Sequence, residues 1–145
     1  ADEPTTALDV TIQAQILELM LRIKDQRKDA AILLITHNLA VVEFLAHEVA
    51  VMYLGRIVES GTVDEVLKSP QHPYTRALLS AVPMVDPAAR REIIRLKGDL
   101  PSPVSPPGGC YFHPRCPQAM HECAERYPQF TRLAASHAVN CHLYK

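Results

Sequence analysis

Between Val10 and Arg27 the apolar residues Ile12, Ile16, Leu19 and Ile23 recur at steps of four, three and four. That spacing puts them on one face of a helix, and the face must pack against something. The next run, "AAILLIT" over 30–36, is short and continuously apolar. Such runs suit a parallel strand covered on both sides by helices, although periodicity alone leaves a buried helix open. "HNLAVVEFLAHE" then reads as a second helix and "VAVMYLG" as a second strand. Helix, strand, helix, strand is the grammar of an α/β layer. Gly55 turns the chain into "RIVESG", a hairpin partner, and Thr62 followed three residues later by Glu65 is a capping box that starts a helix over "VDEVLKS".

Beyond Ser69 the texture changes. "SPQHPYTRALLSAVP" holds one short helix between prolines, started near His72, and four prolines between Pro101 and Pro107 make a stiff, extended connector. All four cysteines follow within the last 36 residues, and no internal repeat is visible. Two segments result: 1–68, regular, and 69–145, rich in Pro and Cys.

Composition narrows the class. An apolar content of 48% over 145 residues is that of a packed globular chain. With 15 basic against 16 acidic residues, no broad attraction to nucleic acid or anionic membrane is expected. The longest apolar runs, 30–35 and 49–54, fall far short of the ~18 residues that span a bilayer. No signal-peptide pattern heads the chain, which reads as soluble and intracellular.

The opening "ADEPTTALD" sets two carboxylates, Asp2 and Glu3, side by side, and a buried-strand pattern ending in His37 follows. Phosphoryl transfer to water uses such parts: a carboxylate for Mg²⁺, a group that positions the water, and a donor near the γ-phosphate. A solvated loop and a helix-starting histidine are the plainer alternative. "ADEPTTALD", "LLITHNLAVV" and "MYLGRIVESGTVDEVLKSPQHPYT" together resemble the ATP-binding cassette (ABC) ATPases. The resemblance implies that Asp2 ends the Walker B strand and holds Mg²⁺ through water. It makes Glu3 the catalytic carboxylate and His37 the switch histidine at the γ-phosphate. "TALD", with Ala7, Leu8 and Asp9, becomes the D-loop facing a second ATPase; Thr6 replaces the commoner Ser. In this family the P-loop, glutamine loop and signature precede the Walker B strand. None is present: the glycines are Gly55, Gly61, Gly98, Gly108 and Gly109, with no GxxxxGK[ST]. The chain therefore reads as a C-terminal fragment of the subunit, expected to be inactive with ATP by itself.

The later stretch, "LKGDLPSPVSPPGGCYFHPRCPQAMHEC" with "NCH" after it, is similar to the C-terminal extension of the ATP-binding subunits of dipeptide and oligopeptide importers, and more to the second of their two ATPases. The fold implied is α/β: the C-terminal part of a P-loop NTPase domain with parallel strands and helices, then a small irregular metal-binding tail. The implied cofactors are ATP and Mg²⁺. The implied partners are a second ATPase subunit, transmembrane permease subunits and, indirectly, an external peptide-binding protein, with no nucleic acid. The place is the cytoplasm, peripheral on the inner face of the cell membrane. Importers of nickel or another small solute stay open, as does an independent metal or redox module.

Cys110, Cys116, Cys123 and Cys141 are spaced C-x5-C-x6-C-x17-C. Zinc sites usually carry a tight C-x2–4-C knuckle, absent here. Wider spacing around four thiolates suits an iron–sulfur cluster, and the resemblance favours [4Fe–4S]. Zn²⁺ and four buried, reduced thiols are the alternatives. His113, His121 and His142 are read as neighbours of the thiols rather than ligands.

Overall fold

The computed structural model describes residues 1–27, 29–82 and 92–144. Pro83, the second proline of the expected helix bracket, lies outside the described residues. Two compact units form, Ala1–Ala46 and His47–Lys145. The hairpin and helix of 47–68, expected with the first segment, are thus packed in one unit with the tail.

In the first unit, helix α1 spans Val10–Gln26 and α2 spans Leu39–Leu45. Asp9 caps α1, its carboxylate accepting from Ile12 N at 2.9 Å, and Asn38 caps α2, accepting from Ala40 N and Val41 N. Each cap satisfies main-chain donors that a helix start leaves unpaired, worth about 1 kcal/mol. The covered face of α1 centres on Leu17, whereas Ile12, Leu19 and Ile23 stay 40–51% exposed. The run expected as a strand over 30–36 makes a single parallel bridge, Asp2 to Ile35. Ile35 N donates to Ala1 O, and Glu3 N to Ile35 O. An apolar run becomes a ladder only where another strand lies beside it, and among the described residues only 1–3 does so.

The second unit is built on a four-stranded sheet in the order β1-β2-β4-β3: β1 Glu48–Tyr53, β2 Arg56–Thr62, β3 Phe130–Arg132 and β4 Ala138–Asn140. Every pairing in it is antiparallel. The parallel sheet expected from the sequence is therefore corrected to a mixed α/β arrangement with an antiparallel sheet. The cause is local: Leu54 and Gly55 form a two-residue turn, which can only join antiparallel neighbours, while parallel strands need a long crossover. Helices α3 (Val63–Lys68), α4 (Pro73–Ser80) and α5 (His121–Glu125) complete the unit, with a short 3₁₀ turn at His113–Arg115. Both bonds of the Thr62–Glu65 capping box are made.

The tail is less irregular than expected, because it contributes two strands and shares a core with the hairpin. Phe112, 1% exposed, sits among Tyr53, Tyr74 and His72 at ring-centroid distances of 5.2, 5.4 and 5.6 Å. Aromatic rings meeting at tilted or edge-on angles add to the gain from buried area. Val58, Cys110 and Cys123 belong to the same cluster.

Candidate functional site

In the first unit Glu3 and His37 come together. His37 Nδ1 lies 2.8 Å from Glu3 Oε1, and Thr6 Oγ1 donates to Glu3 Oε2 at 3.0 Å. The bonds from His37 and then Thr6 hold the Glu3 carboxyl below its ordinary value. A carboxylate only accepts, so His37 Nδ1 carries the proton and donates, leaving Nε2 free for another partner. A carboxylate held as the anion by two donors is a weak proton acceptor and a good orienting group. This geometry fixes the position of the Glu3 carboxylate.

Asp2 sits beside this pair on the bridge to Ile35. Asp9 is occupied in capping α1. Thr6, noted in the sequence only as a departure from Ser, is the partner that sequence reasoning missed. The available signal was its hydroxyl three residues after a carboxylate. Asn38 and Thr36 shape the approach to α2, with Asn38 N donating to Thr36 Oγ1 at 3.1 Å.

In the second unit the four cysteines are free; Cys110, Cys123 and Cys141 are buried and Cys116 is half-buried. No three His, Cys, Asp or Glu side chains among the described residues converge closely enough to hold a metal ion. The metal centre expected at Cys110, Cys116, Cys123 and Cys141 is thus not formed by their side chains as placed. Cys110, Cys116 and Cys123 pack as small apolar groups against the aromatic core. Burial is the main reason that the Cys110 and Cys116 thiols are pushed up and that of Cys141 to about 11.

The donor set nevertheless fits a thiophilic metal chemically. Cys141 lies close enough to Cys110, Cys116 and Cys123 that a charge on any of them would raise its pKa further. Each sulfur also faces a main-chain N–H: Phe112 and His113 for Cys110, Gln118 for Cys116, Met120 for Cys123 and Leu143 for Cys141. Such donors favour thiolate over thiol. The nearby histidines are engaged elsewhere. His113 Nδ1 donates to Cys110 O, His142 Nε2 to Arg126 O, and His121 pairs with Glu125. His72 caps α4, its Nδ1 accepting from Tyr74 N at 3.0 Å.

A buried clasp holds this unit, and sequence reasoning did not find it. Glu59, 1% exposed, accepts from Gln71 N at 2.7 Å and His72 N at 2.9 Å, and contacts His137 Nε2 at 2.8 Å.

Residues 58–123 match the family model of the oligopeptide/dipeptide transporter, C-terminal region. Across 97% of its length the chain is 48% identical to the dipeptide transport ATP-binding protein DppF of Haemophilus influenzae. It is 50% identical over 99% to a probable peptide ABC transporter ATP-binding protein, y4tS, of Sinorhizobium fredii. It is also 50% identical over 98% to the di/tripeptide transport ATP-binding protein DppF of Pseudomonas aeruginosa. The chain spans 43%, 40% and 43% of those proteins respectively. With half its residues shared along nearly its full length, and the transporter region on its second unit, the chain belongs to the ATP-binding proteins of the dipeptide and oligopeptide ABC transporters.

Proposed function

We propose that the protein of which this chain is part hydrolyses ATP to drive import of dipeptides or oligopeptides across the cytoplasmic membrane. The observation that supports this most is the 2.8 Å contact of Glu3 with His37, made between segments 34 residues apart. In this reading residues 1–68 are the later part of an ABC ATPase domain and 69–145 its importer-specific extension. Glu3 orients or activates the attacking water. His37, its Nδ1 paired with Glu3, presents Nε2 toward the γ-phosphate; with both ring nitrogens protonated, Nε2 donates there, where a donor matters most as charge develops. Asp2 would hold Mg²⁺ through water, and the cation would neutralise phosphate charge. Ala7, Leu8 and Asp9 face a second, homologous ATPase.

The other partners are transmembrane permease subunits, with an external peptide-binding protein acting through them and no nucleic acid. The protein works in the cytoplasm, peripheral on the inner face of the membrane; no described helix is long and apolar enough to cross one.

Glu3→Gln in the full-length subunit, assembled with its permease, keeps size and polarity but loses the charge. Hydrolysis is expected to fall about 10²–10⁴-fold while ATP binding survives. His37→Ala is expected to cut turnover with affinity largely intact. Turnover at the parental rate in either variant would remove that residue from the mechanism.

For the cysteines we propose one [4Fe–4S] cluster held by Cys110, Cys116, Cys123 and Cys141, with Zn²⁺ as the alternative occupant. Five main-chain N–H groups facing four sulfurs support a thiolate site. Iron, sulfide and zinc analysis of anaerobically purified subunit, with its visible spectrum, decides the occupant. Colourless protein with one zinc per chain would replace the cluster by zinc, and neither metal would leave four core thiols.

A further inference from the structure

Arg56 opens strand β2 and is exposed, yet its guanidinium is held between two rings, 5.8 Å from the Tyr111 centroid and 5.6 Å from that of Tyr127. The rings meet edge-on at 5.5 Å. Stacking on aromatic faces fixes a guanidinium without using its N–H donors. Arg56 makes no side-chain hydrogen bond or ion pair among the described residues. Its charge therefore faces an open groove of about 500 Å³ lined by Pro106, Pro107, Gly108, Gly109 and both tyrosines, none of them acidic.

The opposite wall is firm. Cys110 N donates to Cys123 O at 2.8 Å, and a Cβ on Gly109 would lie 2.4 Å from the same oxygen. The peptide groups of Gly108 and Gly109 themselves enter no main-chain hydrogen bond with described residues. The groove thus offers a preoriented cation, two ring faces and two unspent peptide units side by side.

We propose that this groove binds the C-terminal end of a short peptide, the Arg56 guanidinium taking the terminal carboxylate in a two-pronged bond and the Gly108–Gly109 main chain pairing with the peptide backbone. A small inorganic anion would use only the guanidinium. A peptide also uses the ring faces and the peptide units. The inference is independent of the hydrolysis reading, since it concerns different residues in the other unit.

The test is titration of the isotope-labelled full-length subunit, without nucleotide, with trialanine, trialanine amide and sodium acetate, followed by NMR. Trialanine is expected to shift the Arg56 side-chain N–H and the Gly108 and Gly109 amides together. The amide and acetate are each expected to bind about tenfold or more weakly, the scale of one charge-assisted pair. Arg56→Gln is expected to lose binding to a similar degree. Its circular dichroism and unfolding midpoint show whether the fold is kept, and Arg56→Lys, which keeps charge without the fork, should fall between. Equal binding of trialanine and its amide would overturn the carboxylate role. Acetate binding as well as trialanine would overturn the peptide, and no shift with trialanine would overturn the site.

Discussion

His72 ties the stability of the second unit to pH. Its ring is buried, 1% exposed, and burial first, then the charge of Arg76, lowers its pKa from 6.5 to about 4. The geometry agrees, because Nδ1 accepts from Tyr74 N and must be unprotonated to do so. Unfolded, the imidazole takes up a proton below pH 6.5; folded, it resists until about pH 4. The unfolded state therefore binds more protons between those values, and stability falls as pH falls through that window. The stabilisation is complete above pH 6.5, and the full span is worth about 3 kcal/mol at 1.36 kcal/mol per pH unit, of which about 2 kcal/mol is lost by pH 5. The comparison is His72→Asn, whose side-chain oxygen can accept from the same N–H but does not titrate. It sacrifices packing on Phe112, so the informative quantity is the pH slope rather than the absolute stability. Urea unfolding followed by circular dichroism at pH 7.5 and pH 5 should show the parent losing about 2 kcal/mol more than the variant. Parallel losses in the two proteins would refute the reasoning, since every other titrating group is common to both.

Glu59→Ala strips the buried clasp and leaves Gln71 N, His72 N and His137 without their acceptor, so unfolding free energy by urea titration should drop by about 3–5 kcal/mol. Gly109→Ala forces a side chain onto a backbone at φ +63° and against Cys123 O. It should cost more than about 1–3 kcal/mol and speed hydrogen exchange of the Cys110 amide, whose bond to Cys123 O must give way.

What was legible in the sequence was chiefly local. The Thr62–Glu65 box and the turn at Gly55 announce themselves because their partners lie within three residues, and both form. The two early helices follow from spacing, but the covered face of α1 does not. Ile12, Ile16, Leu19 and Ile23 define a stripe, while contact within this unit falls on Leu17. The pairing of β2 with β4 brings Glu59 opposite Val139, and nothing near residue 59 points to a partner eighty residues on. For the same reason a lone Glu in "RIVESG" gave no hint that it would be buried with His137. The nearness of Glu3 and His37 was readable only through resemblance, since two short polar strings 34 residues apart carry no pairing signal.

Among the described residues three non-glycine positions adopt positive φ: Glu3 at 41°, Ala7 at 66° and Leu54 at 46°. Each costs roughly 1–2 kcal/mol relative to a position where glycine or asparagine would rest easily. Leu54 precedes Gly55, at 76°, and the two make the left-handed turn that a twisted hairpin requires, where Asn-Gly is the usual pair. Leucine stands there because its side chain packs against the Tyr53–Phe112 core, so apolar burial offsets the backbone cost. Ala7 is exposed and gains no such burial. Glu3 has no apolar gain either, being largely outside any core; its side chain gains only the bonds to His37 and Thr6. Exposed polar bonds of that kind return about as much as the backbone loses. Stability alone therefore gives little reason for a glutamate at this strained position. A carboxylate aimed between a histidine and a hydroxyl supplies the reason, which is why the backbone outlier at Glu3 and the proposed water-orienting role belong to one account.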